Sequence, residues 1–369
     1  MLSNEFKTEY VKVSRTCEMV LCRHPQRSMA EQLQSIMPLA LQYQDGDTYG
    51  KGRLINDFEK EVATLLGLPD GIFLPSGTMA QTMALRIWAD QKHCNRVAFH
   101  PTSHLQLHEQ MGYQKLHGLE GVLVGKDEQV ISCADLAVTD TNLAALLLEL
   151  PMREIGGQLP SWDDLVAQSR WAKKYAIALH LDGARLWSCG SYYEKSLAEI
   201  CSLFDSVYVS FYKDLDGIAG AMLLGTEAFI DTARIWSRRC GGNLVSQFPD
   251  ILAAKTGFAK NLPLMNDFVS KTSKIAGFFN QQAQFQTIPL EPSNNMFHLV
   301  IQQASEQLMP KLKQWSEQNK IALLPLPRSG PDNSSRFEIT IGQNALKYSE
   351  QQWQAAIESC ARFIMRRSM

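Results

Sequence analysis

The chain of 369 residues lacks the features of a membrane, secreted or nucleic-acid-binding protein. Its most apolar stretches, such as residues 143–150, are far shorter than the roughly 20 residues that span a bilayer. Its first residues are polar and contain no apolar signal core, so we do not expect export. The 36 Lys and Arg residues nearly balance the 38 Asp and Glu residues, without a long block of one sign, which argues against a nucleic-acid partner. We therefore expect a cytoplasmic protein without a membrane partner.

Motifs for disulfide frameworks and metal sites are missing as well. The eight cysteines are scattered and include no C-x-x-C pair, which predicts reduced thiols of structural or incidental role. His100, His104 and His108 recur at four-residue spacing, but there is no H-E-x-x-H sequence and no evident third ligand. We therefore predict no metal site, and we expect His100 and His108 to pack in the fold or to face solvent.

The composition that is present, 45% hydrophobic and 20% charged, is typical of a globular protein, and the length suits two domains. From about residue 50 to 240, helical patterns alternate with short apolar runs of the kind that form strands buried on both faces. The predicted strands are 71–75, 96–100, 144–150, 176–182, 206–211 and 221–224, and the predicted helices include 56–66 and 161–175. This order predicts an α/β domain with a mostly parallel sheet flanked by helices.

The pattern changes after about residue 265, where Gln- and Lys-rich helices with fewer strands predict a smaller α+β domain. Its predicted strands are 296–301 and 336–341, and its last helix runs from 348 to about 366. We accordingly divide the chain into an N-terminal arm or helical segment (1–45), a large α/β domain (46–265) and a small C-terminal α+β domain (266–369).

Asp182 stands at the predicted end of a buried strand, in the segment HLDGAR (180–185). A charge buried there needs a cationic partner, because it has lost its solvation. Open α/β sheets bind ligands at these strand ends. The alternative is that Asp182 caps the N-terminus of a helix, which is a common role for Asp.

Lys213 closes another apolar strand, in SVYVSFYKDLDG (206–217). Partial burial of a lysine lowers its pKa and makes its amine a nucleophile. The alternative is a lysine that extends to the surface or pairs with Asp214 or Asp216.

A third segment, PSGTMAQ (75–81), places Ser76, Gly77 and Thr78 at the start of a predicted helix. Small residues, hydroxyls and the free N–H groups of a helix start can bind a phosphate. An ordinary capping box between Thr78 and Gln81 is the alternative, and it is compatible with a phosphate site.

Together the three segments put a phosphate site, an acid and a lysine in one parallel-sheet domain. Pyridoxal phosphate (PLP) needs this set, because its phosphate suits a helix N-terminus, its aldehyde a lysine and its pyridine nitrogen an acid.

The sequence resembles the threonine aldolase and β-eliminating lyase family of PLP-dependent enzymes. The matching segments are GDTYGKGRLINDFEKEVATLLG (46–67), FLPSGTMAQTMAL (73–85), HLDGARLW (180–187), SVYVSFYKDLDG (206–217) and RRCGGNLVSQ (238–247), with weaker likeness in NNMFHL (294–299) and SRFEITIG (335–342). The resemblance implies a PLP-dependent transferase-like fold (fold type I).

By position, the resemblance implies a cofactor site. Lys213 matches the lysine that forms the internal aldimine with PLP, and Asp182 matches the partner of the pyridine nitrogen. The phosphate-binding turn corresponds to Ser76, Gly77 and Thr78. His104 aligns with the histidine that stacks on the cofactor ring.

The resemblance also implies substrate and subunit contacts. Arg185 matches the arginine beside the cofactor and the substrate carboxylate, and Arg336 is a second carboxylate clamp from the small domain. Arg238 and Arg239 would reach a neighbouring subunit's phosphate. A homodimer or homotetramer with shared active sites is therefore expected.

Two segments depart from the family pattern. Where the family commonly has E-N-T-H-N, this chain has ELPMR (149–153), so Met152 replaces the histidine assigned to the threonine hydroxyl. Acid–base catalysis of this kind contributes ~10²–10⁴-fold. Tyr212-Lys213-Asp214 replaces the usual Ser-Lys-Gly, so a phosphate donor is lost or substituted.

We therefore predict a PLP-dependent lyase of a small L-amino acid. Its reaction is retro-aldol cleavage of a β-hydroxy amino acid to glycine and an aldehyde, or β-elimination. Aminotransfer and racemisation use the same groups and stay open, as does a non-catalytic PLP-binding regulatory protein.

Overall fold

A computed structural model describes residues 2–329 and 333–365. The chain forms two compact units. The larger comprises residues 27–154 and 158–263, and the smaller comprises the residues up to 26, residues 155–157 and the residues from 264 onward.

The secondary structure alternates between helices and strands over most of the larger unit. The strands are β1 (Met19–Val20), β2 (Asp70–Leu74), β3 (Arg96–Phe99), β4 (Glu120–Leu123), β5 (Ala145–Glu149), β6 (Ala178–Gly183), β7 (Ser206–Ser210), β8 (Ala221–Gly225), β9 (Phe285–Ile288), β10 (Met296–Ile301), β11 (Ile321–Ala322), β12 (Arg328–Ser329) and β13 (Ser335–Thr340). The helices are α1 (Asn4–Thr16), α2 (Met29–Ala40), α3 (Arg53–Leu66), α4 (Gly77–Lys92), α5 (His104–Leu107), α6 (Gly112–Lys115), α7 (Cys133–Ala137), α8 (Trp162–Lys174), α9 (Gly190–Tyr193), α10 (Leu197–Cys201), α11 (Glu227–Arg239), α12 (Phe248–Asn261), α13 (Met265–Asn280), α14 (Ser305–Asn319), α15 (Gln343–Leu346) and α16 (Glu350–Ile364). Among the described residues, no helix combines the length and apolarity needed to cross a membrane.

The larger unit is built on a seven-stranded sheet, in the order β2-β8-β7-β6-β5-β3-β4. β8 is antiparallel to its neighbours β2 and β7, and the other neighbouring pairs are parallel. Strands β5 to β8 are buried along almost their whole length, because helices cover the sheet. The predictions of a mostly parallel sheet and of its six strands are confirmed.

Within this sheet, sequence analysis missed β4, which lies at the edge. Its outer residues are exposed and its inner residues only half-buried, so it has no continuous apolar run. An edge strand of this kind gives a weak sequence signal.

Helices α3, α4 and α8 show why the helical predictions succeed. α3 buries Phe58 and Val62 on one face and ends at Gly67, whose φ of 65° is the left-handed conformation of a helix C-terminus. The hydroxyl of Ser161 caps α8 by accepting a hydrogen bond from the N–H of Asp164, at 3.1 Å. α4 packs on the central strands of the sheet and contributes Met83 to an apolar cluster with them.

The smaller unit contains an antiparallel sheet, in the order β12-β13-β10-β9, together with α13, α14 and α16. The predicted strands 296–301 and 336–341 correspond to β10 and β13. β9 was not predicted, although its burial alternates, with Phe285 and Thr287 buried and Gln286 exposed. Helix α16 confirms the predicted final helix, whose predicted end at about residue 366 lies outside the described residues.

Candidate active site

The site is assembled at the carboxyl ends of β5, β6 and β7. Within the sheet, Asp182 of β6 is paired with Glu149 of β5 on one side and with Tyr208 of β7 on the other. Lys213 follows the end of β7 by three residues. Parallel strands end at a common edge, so the topology itself gathers these groups.

Asp182 is a buried strand residue and not a helix cap. It is 3% exposed, and its Oδ1 accepts a hydrogen bond of 3.1 Å from the N–H of Ala184. β6 continues to Gly183, and the short 3₁₀ turn beyond it begins after Arg185, so the helix-cap alternative is wrong. Burial raises the pKa of Asp182, and the charge of Lys213 opposes that effect.

Lys213 does not pair with the neighbouring aspartates. Oδ1 of Asp214 lies 2.9 Å from Nη1 of Arg185, and Oδ2 of Asp216 lies 2.7 Å from Nη2 of Arg27, so each aspartate has another cation. Burial lowers the pKa of Lys213, and the positive charge of Arg185 lowers it further, while Asp182 opposes both effects. A larger fraction of this amine is neutral than of an exposed lysine, as a nucleophile requires.

The start of α4 differs in detail from the predicted capping box. Ser76 is the N-cap, and its hydroxyl accepts a hydrogen bond of 3.3 Å from the N–H of Met79. The box between Thr78 and Gln81 is wrong, because Oε1 of Gln81 accepts a 2.7 Å hydrogen bond from Nε2 of buried His180. The amides of Gly77 and Thr78 come first in the helix, where no preceding turn supplies an acceptor.

His180 ties α4 to the sheet. Its Nδ1 accepts a 2.8 Å hydrogen bond from the hydroxyl of Ser206 on β7, whose oxygen also accepts from Nε1 of Trp88 at 2.8 Å. Burial lowers the pKa of His180 to about 3, so its ring stays neutral and the network keeps its hydrogen-bond directions. The network fixes the helix whose first turn faces the site.

Gly77 makes a close approach that another residue would prevent. A Cβ at this position would lie 1.9 Å from Oη of Tyr208. The glycine therefore lets the first turn of α4 and the phenol of Tyr208 lie side by side.

His104 lies against two carboxylates that sequence analysis did not assign to the site. Its Nδ1 is 3.0 Å from Oε1 of Glu109, and its backbone N–H donates to Oε2 of Glu149 at 3.2 Å. Oε1 of Glu149 accepts from the N–H of Arg153 at 3.0 Å. Burial, followed by the charge of Asp182, raises the pKa of Glu149 to about 7. Glu149 could have been found from the sequence in the same way as Asp182, because it also stands at the end of an apolar strand.

The other two histidines of the four-residue series are engaged elsewhere. His100 is buried, and its Nε2 lies 2.8 Å from the backbone carbonyl of Lys126. Nε2 of His108 is 2.8 Å from Oε1 of Glu154, and its ring is 5.1 Å from that of His104. In residues 2–329 and 333–365, no group of three or more metal-ligating side chains comes together.

Met152 is 5% exposed and lines a small internal space together with His100, Leu148 and Gln168. The position that carries a histidine in the resembling family thus holds an apolar side chain packed in the interior of this unit.

The remaining predicted arginines lie in different units. Arg336 is in β13 of the smaller unit, opposite Val300 of β10. Arg238 and Arg239 are exposed at the end of α11 and, with Lys51 and Arg234, line a cavity of about 550 Å³ in the larger unit.

The residues of the larger unit fit PLP. The first amides of α4 suit an anion, Gly77 carries no side chain that would cover them, and the pKa of Lys213 is lowered. Asp182 is a buried acid in the electrostatic range of that amine. The set can hold a phosphorylated aldehyde with a basic ring nitrogen.

Comparison with known proteins agrees with this geometry. The sequence profile of the β-eliminating lyase family matches residues 26–322. A putative aromatic amino acid β-eliminating lyase/threonine aldolase from Exiguobacterium sp. 255-15 is 37% identical, with a TM-score of 0.92 over 97% of this chain and 99% of that chain. A putative L-allo-threonine aldolase from Listeria monocytogenes is 35% identical, with a TM-score of 0.93 over the same shares. Low-specificity L-threonine aldolase 1 from Arabidopsis thaliana is 24% identical over 80% of this chain and 84% of its own length.

Proposed function

The chain belongs to the β-eliminating lyase family, a family of PLP-dependent lyases of amino acids, and we propose that it cleaves a small β-hydroxy-L-amino acid to glycine and an aldehyde. The observation that carries the proposal is the gathering of Lys213, Asp182 and the start of α4 in one unit. The similarity to proteins described as threonine aldolases supports the choice of substrate class.

We assign the cofactor-binding roles to this chain's residues as follows. The amine of Lys213 is the nucleophile for the aldehyde carbon, and its lowered pKa supports that role. Asp182 binds the ring nitrogen and keeps it protonated. Ser76, Gly77 and Thr78 bind the phosphate. When bound, PLP supplies an electron sink that weakens the bonds at Cα of the amino acid.

His104 is proposed to stack on the cofactor ring. The contact with Glu109 fixes the ring orientation of His104, and Glu149 fixes its backbone. Together these two carboxylates would position the imidazole of His104 for that contact.

Arg185 is proposed to bind the substrate carboxylate, since Asp214 holds its guanidinium in place. The same role for Arg336 stays a prediction from the resemblance.

A homodimer or a larger homo-oligomer is also proposed. Arg238 and Arg239 are exposed on a cavity that also contains Lys51, while Arg234 there is paired with Glu59 and Asp70. The cations Lys51, Arg238 and Arg239 support a contact with the phosphate of a second copy.

β-Elimination is the second candidate reaction. It is favoured by Met152, because an apolar side chain stands where the resembling family has the histidine for the substrate hydroxyl. β-Elimination needs a leaving group at Cβ but no base at a β-hydroxyl.

The decisive experiment incubates the PLP-loaded protein with L-threonine, L-allo-threonine and β-substituted alanines. We expect glycine and an aldehyde from the first two. A keto acid and ammonia from the substituted alanines alone would instead identify β-elimination. A D-amino acid would identify racemisation, and an amino-group exchange would identify aminotransfer. The absence of any product would indicate a regulatory protein.

Absorbance provides the matched test of Lys213. The PLP-loaded wild type should have an absorbance band at ~420 nm, and the Lys213→Ala variant should lack it. Lys255→Ala, which removes an ion pair with Glu61 and a contact with the ring of Phe58, should keep the band. A loaded wild type without the band would contradict the assignment of Lys213.

A further inference from the structure

Two tyrosine hydroxyls lie between the start of α4 and Lys213. Tyr208, on β7, is 3% exposed, and its Oη occupies the space that a Cβ at Gly77 would fill. Its hydroxyl is therefore in contact with the first residue of the helix. Tyr212 comes immediately before Lys213, whose Nζ lies 5.8 Å from the centre of the Tyr212 ring.

These two phenols can each donate a hydrogen bond. Their Oη atoms are 3.4 Å apart, which is long for a hydrogen bond between hydroxyls. A contact between them uses at most one of the two phenol hydrogens, so at least one is left for another acceptor. The acceptor would lie next to the α4 amides, where an anion is favoured.

We propose that Tyr208 and Tyr212 bind the phosphate of the cofactor and complete the site begun by the first turn of α4. This inference rests on the proposed function. It makes Tyr212, which stands where the family pattern Ser-Lys-Gly has serine, a donor to the phosphate. Tyr208 contributes from the floor of the site and Tyr212 from its edge, since Tyr212 is 37% exposed.

Both phenols are suited to bind an anion. Burial raises the pKa of Tyr208 well above its usual value, and it raises that of Tyr212 as well. The hydroxyls therefore stay protonated at neutral pH and donate to a phosphate, whereas a phenolate would repel it.

The test compares two ligands that differ only in the phosphate. The dissociation constants of PLP and of pyridoxal are measured by fluorescence titration of the PLP-free protein, for wild type, Tyr208→Phe and Tyr212→Phe. We expect each substitution to weaken PLP binding about 10-fold, as for a lost hydrogen bond to a charged group, and to leave pyridoxal binding within about twofold of wild type.

Tyr113→Phe is the matched control. Tyr113 is also buried, its hydroxyl donates to Oε1 of Gln106 at 3.0 Å, and its ring packs in an apolar cluster with Phe99. It should bind both ligands like wild type. Thermal unfolding of each PLP-free variant reports whether that variant folds. If Tyr208→Phe does not fold, Tyr212→Phe still tests the proposal, because Tyr212 is partly exposed.

Three results would overturn the proposal. They are unchanged PLP binding in both variants, equal losses for PLP and pyridoxal, and an increased KM for the amino acid with unchanged PLP binding. A wild-type protein that binds neither PLP nor pyridoxal would contradict the proposed function itself, which keeps the two failures distinct.

Discussion

The two ends of the site are built from different chemistry. At the start of α4 the groups are neutral donors: backbone amides, the hydroxyl of Thr78 and the phenols of Tyr208 and Tyr212. At the ends of β5 and β6 the groups are ionisable, and they include Asp182 and Glu149. The start of α4 offers hydrogen-bond donors to an anion. The ends of β5 and β6 set the protonation states of acidic and basic groups.

The difference shows how the larger unit can both bind an anion and control the protonation of catalytic groups. Neutral donors bind a phosphate without titrating near neutral pH, so this end should work over a wide pH range. Buried charges shift one another's pKa values, as Asp182 does for Glu149 and for Lys213. The charged end should therefore be sensitive to pH and to the loss of any one charge.

The largest expected effect is at the charged end, on stability. Asp214→Asn removes a buried carboxylate 2.9 Å from the guanidinium of Arg185, and we expect the free energy of unfolding to fall by about 3–5 kcal/mol. Urea unfolding of the PLP-free protein measures it. Asp216→Asn is the control, because its ion pair with Arg27 is partly exposed and should contribute about 1 kcal/mol or less. Equal losses of unfolding free energy in the two variants would contradict the expected difference between a buried and a partly exposed ion pair.

The second effect separates chemistry from binding. Asp182→Asn should keep PLP bound through the α4 end and Lys213, yet lower kcat by roughly 10²–10³-fold, because the ring nitrogen loses the acid that keeps it protonated. Steady-state kinetics and PLP titration measure the two quantities. An unchanged kcat would show that Asp182 does not serve the electron sink.

The third prediction concerns the neutral end. Gly77→Ala puts a Cβ 1.9 Å from Oη of Tyr208, so either the phenol or the first turn of α4 must move. We expect PLP affinity to fall about 10- to 100-fold. Gly277→Ala is the control, because a Cβ in that helix meets nothing within 4 Å. PLP titration that finds wild-type affinity for Gly77→Ala would contradict the close approach.

The fourth prediction is a dependence of stability on pH, which extends the contrast to the charged end. The pKa of Glu149 is about 7 in the folded protein against the usual 4.5, so the folded state binds this proton more tightly than the unfolded chain does. The free energy of unfolding should therefore fall as the pH rises from about 4.5 to about 7, by roughly 3 kcal/mol at about 1.36 kcal/mol per pKa unit.

Glu149→Gln removes the titrating group and should flatten this part of the pH profile. The measurement is the melting temperature of both PLP-free proteins between pH 5 and pH 8. If both proteins lose stability in parallel over that range, another group is responsible.

Much of the sheet could be predicted because its central strands are apolar on both faces. Residues 176–182 and 206–211 are examples, and their ends led directly to Asp182 and Lys213. The edge strand β4 could not be found in this way, because an exposed strand carries no continuous apolar run.

The parts of the site that were missed depend on contacts between distant segments. Glu149 becomes a neighbour of His104 only when the short helix α5 lies beside the end of β5. The capping box at Gln81 failed because its partner, His180, is 99 residues further along the chain. Local patterns identify which side chains can cap or donate, whereas tertiary packing decides which acceptor they meet.

The smaller unit is discontinuous, and its strand β1 near the N-terminus pairs in parallel with β11. During synthesis, residues 19–20 must therefore wait for about 300 further residues to leave the ribosome before this pair can form, whereas β2 to β8 become available in succession. We expect a nascent chain halted near residue 265 to contain a protected large sheet and an unprotected N-terminal segment. Hydrogen exchange or limited proteolysis of stalled chains would reveal this order of assembly.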